Sequence, residues 1–159
     1  MRNVFCSGDK KIQNTMERTF SIIKPNAVAA GHTGKIIDSI LERGFRIVAM
    51  RMVYMSRNTA AKFYAVHYGK EFYGRLLDFM SSGASVVMLL EREDAVNELR
   101  VLAGHTDPAQ AEEGTLRRHF GESVTRNGIH AADGVENARR EAALFFTEDD
   151  IMDAGYFPS

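Results

Sequence analysis

Ala84-Ser85-Val86-Val87-Met88-Leu89-Leu90 is an almost wholly apolar run, entered through Ser81-Ser82-Gly83. Its length and its β-branched residues mark a strand, and a strand without polar alternation is buried on both faces. That makes it the centre of a sheet. Working toward the N-terminus, Phe72, Leu76, Phe79 and Met80 fall at i, i+4, i+7 and i+8, one face of a helix over residues 70–80. A second short helix over 56–66 precedes it across Gly69. Phe45, Ile47, Ala49 and Val53 alternate imperfectly, so residues 45–54 read as another strand. Ile36, Ile37, Ile40 and Leu41 place a helix over 34–43, with Gly44 at its C-cap. Thr19-Phe20-Ser21-Ile22-Ile23-Lys24 is a β-rich run closed by Pro25.

Toward the C-terminus, Ala95, Leu99 and Leu102 predict a helix over 93–102, and residues 104–114 read as a loop containing Pro108. A short fourth strand is expected near 128–130. Val135, Ala138, Ala142 and Phe145 form the stripe of a last helix over 135–145. The order predicts an α+β chain (α/β in the broad sense). Its core is a ferredoxin-like βαββαβ unit with a four-stranded antiparallel sheet covered by helices on one face. Residues 1–16 carry no periodicity and read as a flexible extension, with Met16 a candidate internal start; residues 17–159 form the single expected domain.

The chain has 159 residues, 45% of them hydrophobic and 26% charged, which suits one globular domain. Cys6 is the only cysteine. It excludes an internal disulfide and any CxxC zinc site, and it suits a reducing compartment. The 20 Lys+Arg against 21 Asp+Glu leave a formal charge of −1, which argues against an obligatory nucleic-acid partner or a basic membrane-surface protein. No apolar run approaches the roughly 20 residues of a membrane span, and residues 1–15 lack an apolar signal stretch. A cytoplasmic protein is expected.

Gly31-His32-Thr33-Gly34-Lys35-Ile36 imitates a phosphate-binding loop, but two residues separate the glycines and Ile36 follows the lysine. The loop needs four residues between its glycines and Ser or Thr after the lysine. Among His32, His67, His105, His119 and His130, the last stands in Thr125-Arg126-Asn127-Gly128-Ile129-His130-Ala131-Ala132-Asp133, small and polar surroundings that leave an imidazole accessible. Glu141 lies beside Ala138 and Phe145 on a wheel of ~100° per residue. On spacing alone it either fixes a histidine tautomer or pairs with Arg139 or Arg140. Lys24 ends a strand, Arg100, Thr106 and Arg117 flank the long loop, and Asn127 precedes His130 by three. Cations with hydroxyl and amide donors around an exposed histidine suit an anionic, polyphosphate-bearing substrate.

At these residues the sequence resembles the nucleoside diphosphate kinase family. The resemblance runs from Glu17-Arg18-Thr19-Phe20-Ser21-Ile22-Ile23-Lys24-Pro25-Asn26-Ala27-Val28 through Phe63-Tyr64, Phe72-Tyr73, Gly104-His105-Thr106-Asp107-Pro108 and Gly114-Thr115-Leu116-Arg117 to Asn127-Gly128-Ile129-His130 and Glu141. It implies transfer of the γ-phosphate of a nucleoside triphosphate such as ATP to a nucleoside diphosphate, by a ping-pong mechanism through a phosphohistidine on His130. A catalytically inactive nucleotide-sensing module on the same fold is the alternative. The resemblance further implies that Glu141 orients His130 and that Lys24, Tyr64 and Asn127 surround the transferred group. Arg100, Thr106 and Arg117 then hold the phosphates, and Phe72, Leu76 and Val124 clamp the base. Mg²⁺ is expected to arrive on the nucleotide without direct protein ligands, Asp133 reaching it through water. Two departures stand out. Ala132 occupies a position where many members have serine, and Glu112-Glu113 replaces a Lys-Pro-like stretch in a loop of subunit packing. Together with the differing tail 147–159, the second leaves a homo-oligomer undecided between tetramer and hexamer.

Overall fold

The computed structural model describes residues 16–153. The reading of a flexible extension falls, except for Met16, outside the described residues. Four strands form one antiparallel sheet: β1 (Glu17–Ile23), β2 (Arg46–Tyr54), β3 (Ala84–Arg92) and β4 (Ile129–Ala131), in the order β2-β3-β1-β4. The run quoted above is indeed central, and its side chains divide between two cores. Val87 and Leu89 join Phe20 and Ile22 on one face; Val86, Met88 and Leu90 join Ile23 and Ile129 on the other.

Here the expectation of helices on one face is corrected. A strand buried on both sides needs cover on both. Helices α3 (Arg57–Phe63), α4 (Tyr73–Met80) and α7 (Val135–Ala143) pack against the first face. Helices α2 (Thr33–Glu42) and α5 (Ala95–Ala103) pack against the second, joined by α1 (Pro25–Ala29) and α6 (Leu116–Phe120). The βαββαβ pattern supplies only α2 and α5; the first face is covered by the α3–α4 pair inserted between β2 and β3 and by α7 after β4.

Helices α1 and α6 were not expected, because five residues are too few for a helical period to show. Their starts are nevertheless written locally. Pro25 sits in the first turn of α1, where its missing N–H is harmless. The Thr115 hydroxyl caps α6 by accepting from the Arg118 amide. The imperfect alternation in β2 has a cause in a register shift between Ile47 and Ala49, which buries both Val48 and Ala49. β1 also starts earlier than its apolar residues suggest. Arg18 lies opposite Glu91, and its Nε donates to the Glu91 carboxylate at 2.9 Å.

Candidate active site

His130 sits in the middle of β4, a three-residue strand held chiefly by β1. The Lys24 amide donates to the Gly128 carbonyl at 2.9 Å and the Ala132 amide to the Phe20 carbonyl at 3.1 Å. The Ser21 hydroxyl adds a bond to the His130 carbonyl at 2.8 Å. Glu141 lies on the buried side of α7, and its Oε2 is 2.9 Å from His130 Nε2. A carboxylate only accepts, so in the neutral ring the proton is on Nε2 and Nδ1 keeps its lone pair. The ring is braced edge-on by Phe63, with centroids 5.0 Å apart. Arg139 pairs instead with Glu136, which removes it as the partner of Glu141.

These side chains open on a cavity of about 840 Å³ between α4, α6 and the β4–α7 junction. All twelve residues that the family resemblance assigns to a site line it: Lys24, Tyr64, Phe72, Leu76, Arg100, Thr106, Arg117, Val124, Asn127, His130, Asp133 and Glu141. Another hollow of similar size, about 850 Å³, opens beside α7, so volume does not choose between them. Chemistry does. The arginines of that second hollow, Arg18 and Arg139, are already paired with Glu91 and Glu136. In the first, Lys24, Arg100 and Arg117 have no carboxylate partner among the described residues.

Lys24 is buried at the end of β1, its Nζ donating weakly to the Thr125 carbonyl at 3.4 Å. Desolvation, reinforced by the charge on Arg117, brings its pKa from 10.5 down to about 7. Arg117 is fastened by Nη1 to the Gly104 carbonyl at 2.9 Å and by Nη2 to the Ile129 carbonyl at 3.1 Å. Burial and then Arg100 lower its pKa to about 10. Two nearby cations held away from water, without a counter-charge, leave the cavity poised for an anion. Gly104 permits this arrangement. Its φ is +85°, and a Cβ there would stand 2.5 Å from the Thr115 hydroxyl.

Two buried acceptors or donors in the wall have no partner among the described residues: the Tyr64 hydroxyl and Asn127 Oδ1. Burial, then the charge of Glu141, pushes the Tyr64 phenol well above its usual range, so it remains a donor. Asn127 is oriented by its Nδ2, which donates to the Thr106 carbonyl at 3.1 Å. At the mouth, Phe72 and Val124 are 38% and 55% exposed, with Leu76 buried beneath. An apolar slot above a cationic floor fits a ligand with a flat ring at one end and phosphates at the other. Asp133 lies in the wall and accepts from the Asn137 amide. Among the described residues no three His, Cys, Asp or Glu side chains converge as metal ligands. This donor set fits a Mg²⁺ that keeps its waters and phosphate oxygens.

Sequence reasoning missed Phe63 as the brace of His130 and His67 as part of the wall. His67 packs on Tyr64 and Phe72, at centroid distances of 6.2 and 5.4 Å. Phe63 carries no chemical signal of its own, and His67 stands in no motif.

A sequence model of the family described as nucleoside diphosphate kinase matches residues 17–151. A nucleoside diphosphate kinase of Nitratiruptor is 50% identical over 137 residues, 86% of this chain and 100% of its own. That of Methanocaldococcus jannaschii is 49% identical over 137 residues, 86% of this chain and 98% of its own. Among solved structures, the Aquifex aeolicus nucleoside diphosphate kinase superposes with a TM-score of 0.85 at 38% identity, covering 87% of this chain and all of its own. The Halobacterium salinarum enzyme, solved in complex with CDP, gives 0.84 at 34% identity over 87% of this chain and 93% of its own.

Proposed function

The chain belongs to the nucleoside diphosphate kinase family, and on that premise we propose that it transfers a γ-phosphoryl group from a nucleoside triphosphate, ATP included, to a nucleoside diphosphate through a phosphohistidine on His130. The observation that carries the proposal is the contact of Glu141 with His130 Nε2 at the wall of a cavity whose cations lack acid partners.

In the first half-reaction His130 Nδ1 uses its lone pair to attack the γ-phosphorus in line. The N–P bond forms as the bond to the β–γ bridging oxygen breaks, and the diphosphate leaves with that electron pair. In the second, a terminal oxygen of the acceptor's β-phosphate takes the phosphoryl group and the histidine lone pair is restored. Glu141 keeps the Nε2 proton in place and balances the positive charge that the ring gains on phosphorylation. Lys24, Arg100 and Arg117 stabilise charge spread over the transferred group and the phosphates behind it. The Tyr64 hydroxyl and Asn127 Oδ1 supply hydrogen bonds that neither makes with the described residues. Thr106 adds a further phosphate contact. Phe72, Leu76 and Val124 grip the base by its face, which every nucleobase has.

Asp133 would be the side chain to hold, through water, a Mg²⁺ arriving with the nucleotide, and that ion would offset phosphate charge. We extend the proposal to a homo-oligomer. β2 is an edge strand on which Met50, Met52 and Tyr54 are 52%, 62% and 72% exposed, a surface suited to another copy. Its mass by sedimentation distinguishes tetramer from hexamer. Among the described residues no helix is long and apolar enough to cross a membrane, and a cytoplasmic location would give the enzyme access to a nucleoside triphosphate pool.

The test is the intact-protein mass after brief exposure to Mg²⁺ and ATP. The wild type gains one acid-labile phosphoryl group and loses it to GDP, whereas His130→Ala gains none. A wild type that binds ATP and stays unphosphorylated overturns the proposal in favour of a nucleotide sensor.

A further inference from the structure

Residues 121–127 join α6, which carries Arg117, to β4, which carries His130. This loop brings Val124 and Thr125 into the cavity wall and ends on Asn127. It closes on the carbonyl of Arg126, which accepts from the amides of Glu122 and Ser123 at 2.8 and 3.3 Å. The Arg126 amide donates back to the Ser123 hydroxyl at 3.1 Å, and its guanidinium pairs with Glu122 at 2.8 Å. These bonds give the loop its shape without fastening it to the sheet.

Outside it, Asn127 Nδ2 holds the Thr106 carbonyl, the Arg126 guanidinium lies 5.1 Å from the Phe79 ring centroid, and two side chains from the end of β1 and the start of α1 fasten its backbone. Lys24 Nζ reaches the Thr125 carbonyl at 3.4 Å, and Asn26 Nδ2 reaches the Arg126 carbonyl at 3.0 Å. They are not equivalent. The Lys24 bond is long, and the same ammonium group is the one assigned above to phosphate. Asn26 is 4% exposed and outside the cavity lining, so its amide bond does not compete with a ligand as the Lys24 bond does. Asn26 Oδ1 is buried without a partner among the described residues, so the donor side of the amide is the half that holds the side chain.

We infer that Asn26 is a positioning residue for nucleotide binding. Its amide clamps the closing carbonyl of the 121–127 loop and thereby sets Val124 against the base, while Asn127 is oriented by the Thr106 carbonyl. The inference rests on the kinase reading of the cavity. Asn26 acts on affinity and not on the nucleophile, because His130 and Glu141 are held by β1, Phe63 and each other, not by the loop.

The experiment compares the wild type with Asn26→Ala on full-length protein. KM is measured for ATP and for two diphosphates, together with kcat and the rate at which phosphoramidate, a phosphoryl donor without a base, phosphorylates His130. Loss of one buried hydrogen bond should raise KM for every nucleotide by about tenfold. The phosphoramidate rate and kcat should stay within about threefold of the wild type, a margin of under 1 kcal/mol at 1.36 kcal/mol per factor of ten. In a Val124→Ala background the same substitution should raise KM by less than about threefold, since the loop tip no longer bears on the base.

KM within twofold of the wild type, or undiminished effects of N26A beside V124A, would overturn the inference even if the melting temperature fell. If N26A does not fold, Asn26→Ser is read against the same thresholds. Failure of the kinase reading looks different: the wild type itself takes no phosphoryl group from ATP while phosphoramidate still modifies His130.

Discussion

Across the β4–α7 junction, the Glu141 carboxylate lies 2.9 Å from His130 Nε2 and is the more deeply buried partner, 7% against 19% exposed at the side chain. This ordering puts the carboxylate behind the imidazole of the proposed nucleophile. Phosphorylation at Nδ1 gives the ring a positive charge that faces the carboxylate directly. Glu141→Gln keeps an acceptor for the Nε2 proton and removes the compensating charge. We expect single-turnover phosphorylation by ATP to slow by roughly 10–100-fold, the usual effect of losing a carboxylate behind a functional histidine. Nucleotide KM should change little. Rapid-quench kinetics at saturating ATP tests this, and an unchanged rate would mean that Glu141 orients nothing of consequence.

Lys24 links binding to protons. Its pKa of about 7 in the free protein means that it is largely neutral at pH 8 and must take up a proton to meet a phosphate. Calorimetric titration with a nucleotide in buffers of different ionisation enthalpy should show uptake of nearly one proton at pH 8 and nearly none at pH 6. Lys24→Met should abolish the uptake and weaken binding. Uptake that is the same in K24M and the wild type would place the proton elsewhere.

The same group makes a stability prediction of definite sign. In the unfolded chain Lys24 keeps its ordinary value of 10.5, so between pH 7 and 10.5 the unfolded state holds more protons. Stability due to this group therefore rises with pH across that window, and its destabilising effect is greatest below pH 7. K24M should melt several degrees higher than the wild type at pH 6.5, with an advantage that shrinks toward pH 10. Melting curves at the two pH values settle the sign.

Phe72 is exposed at the cavity mouth, with the Lys70 ammonium 5.7 Å from its ring centroid and His67 packed on its edge. Phe72→Ala removes a stacking platform worth about 1–3 kcal/mol per base. KM for purine and pyrimidine diphosphates should rise by about tenfold together, with little change in melting temperature because the ring contributes little to the core. A loss confined to purines would show that the ring reads base size.

Ala132 is fully buried in the core formed by Phe20, Phe63 and Phe145, two residues beyond the nucleophile. Ala132→Ser introduces a hydroxyl that, by the family resemblance, is expected to support the Glu141 carboxylate. A bond of about 1 kcal/mol should leave turnover unchanged or raise it several-fold. A large fall in turnover would mean that the hydroxyl finds no partner there.

The elements written in short-range patterns were legible from the sequence. The apolar run of β3, the helical stripes of α2, α4, α5 and α7, and the Asn127–His130 spacing all depend on residues within a few positions of one another. The resemblance also singled out twelve candidate positions, and packing brings all of them to one cavity. Short helices and the start of β1 were not legible, since five residues show no period and the pairing partner of Arg18 is 73 residues away.

By itself the sequence determined the alternation of strands and helices and pointed to the family, because side-chain period, capping and local motifs are properties of covalent neighbours. Only the tertiary structure decided which partner Glu141 takes, that both faces of the sheet are covered, and that Lys24 titrates near neutrality. It also brought the Asn26 amide to the carbonyl of Arg126, 100 residues away. Desolvation and hydrogen-bond partners are set by whatever atoms packing brings near, and those atoms come from segments that the chain keeps far apart.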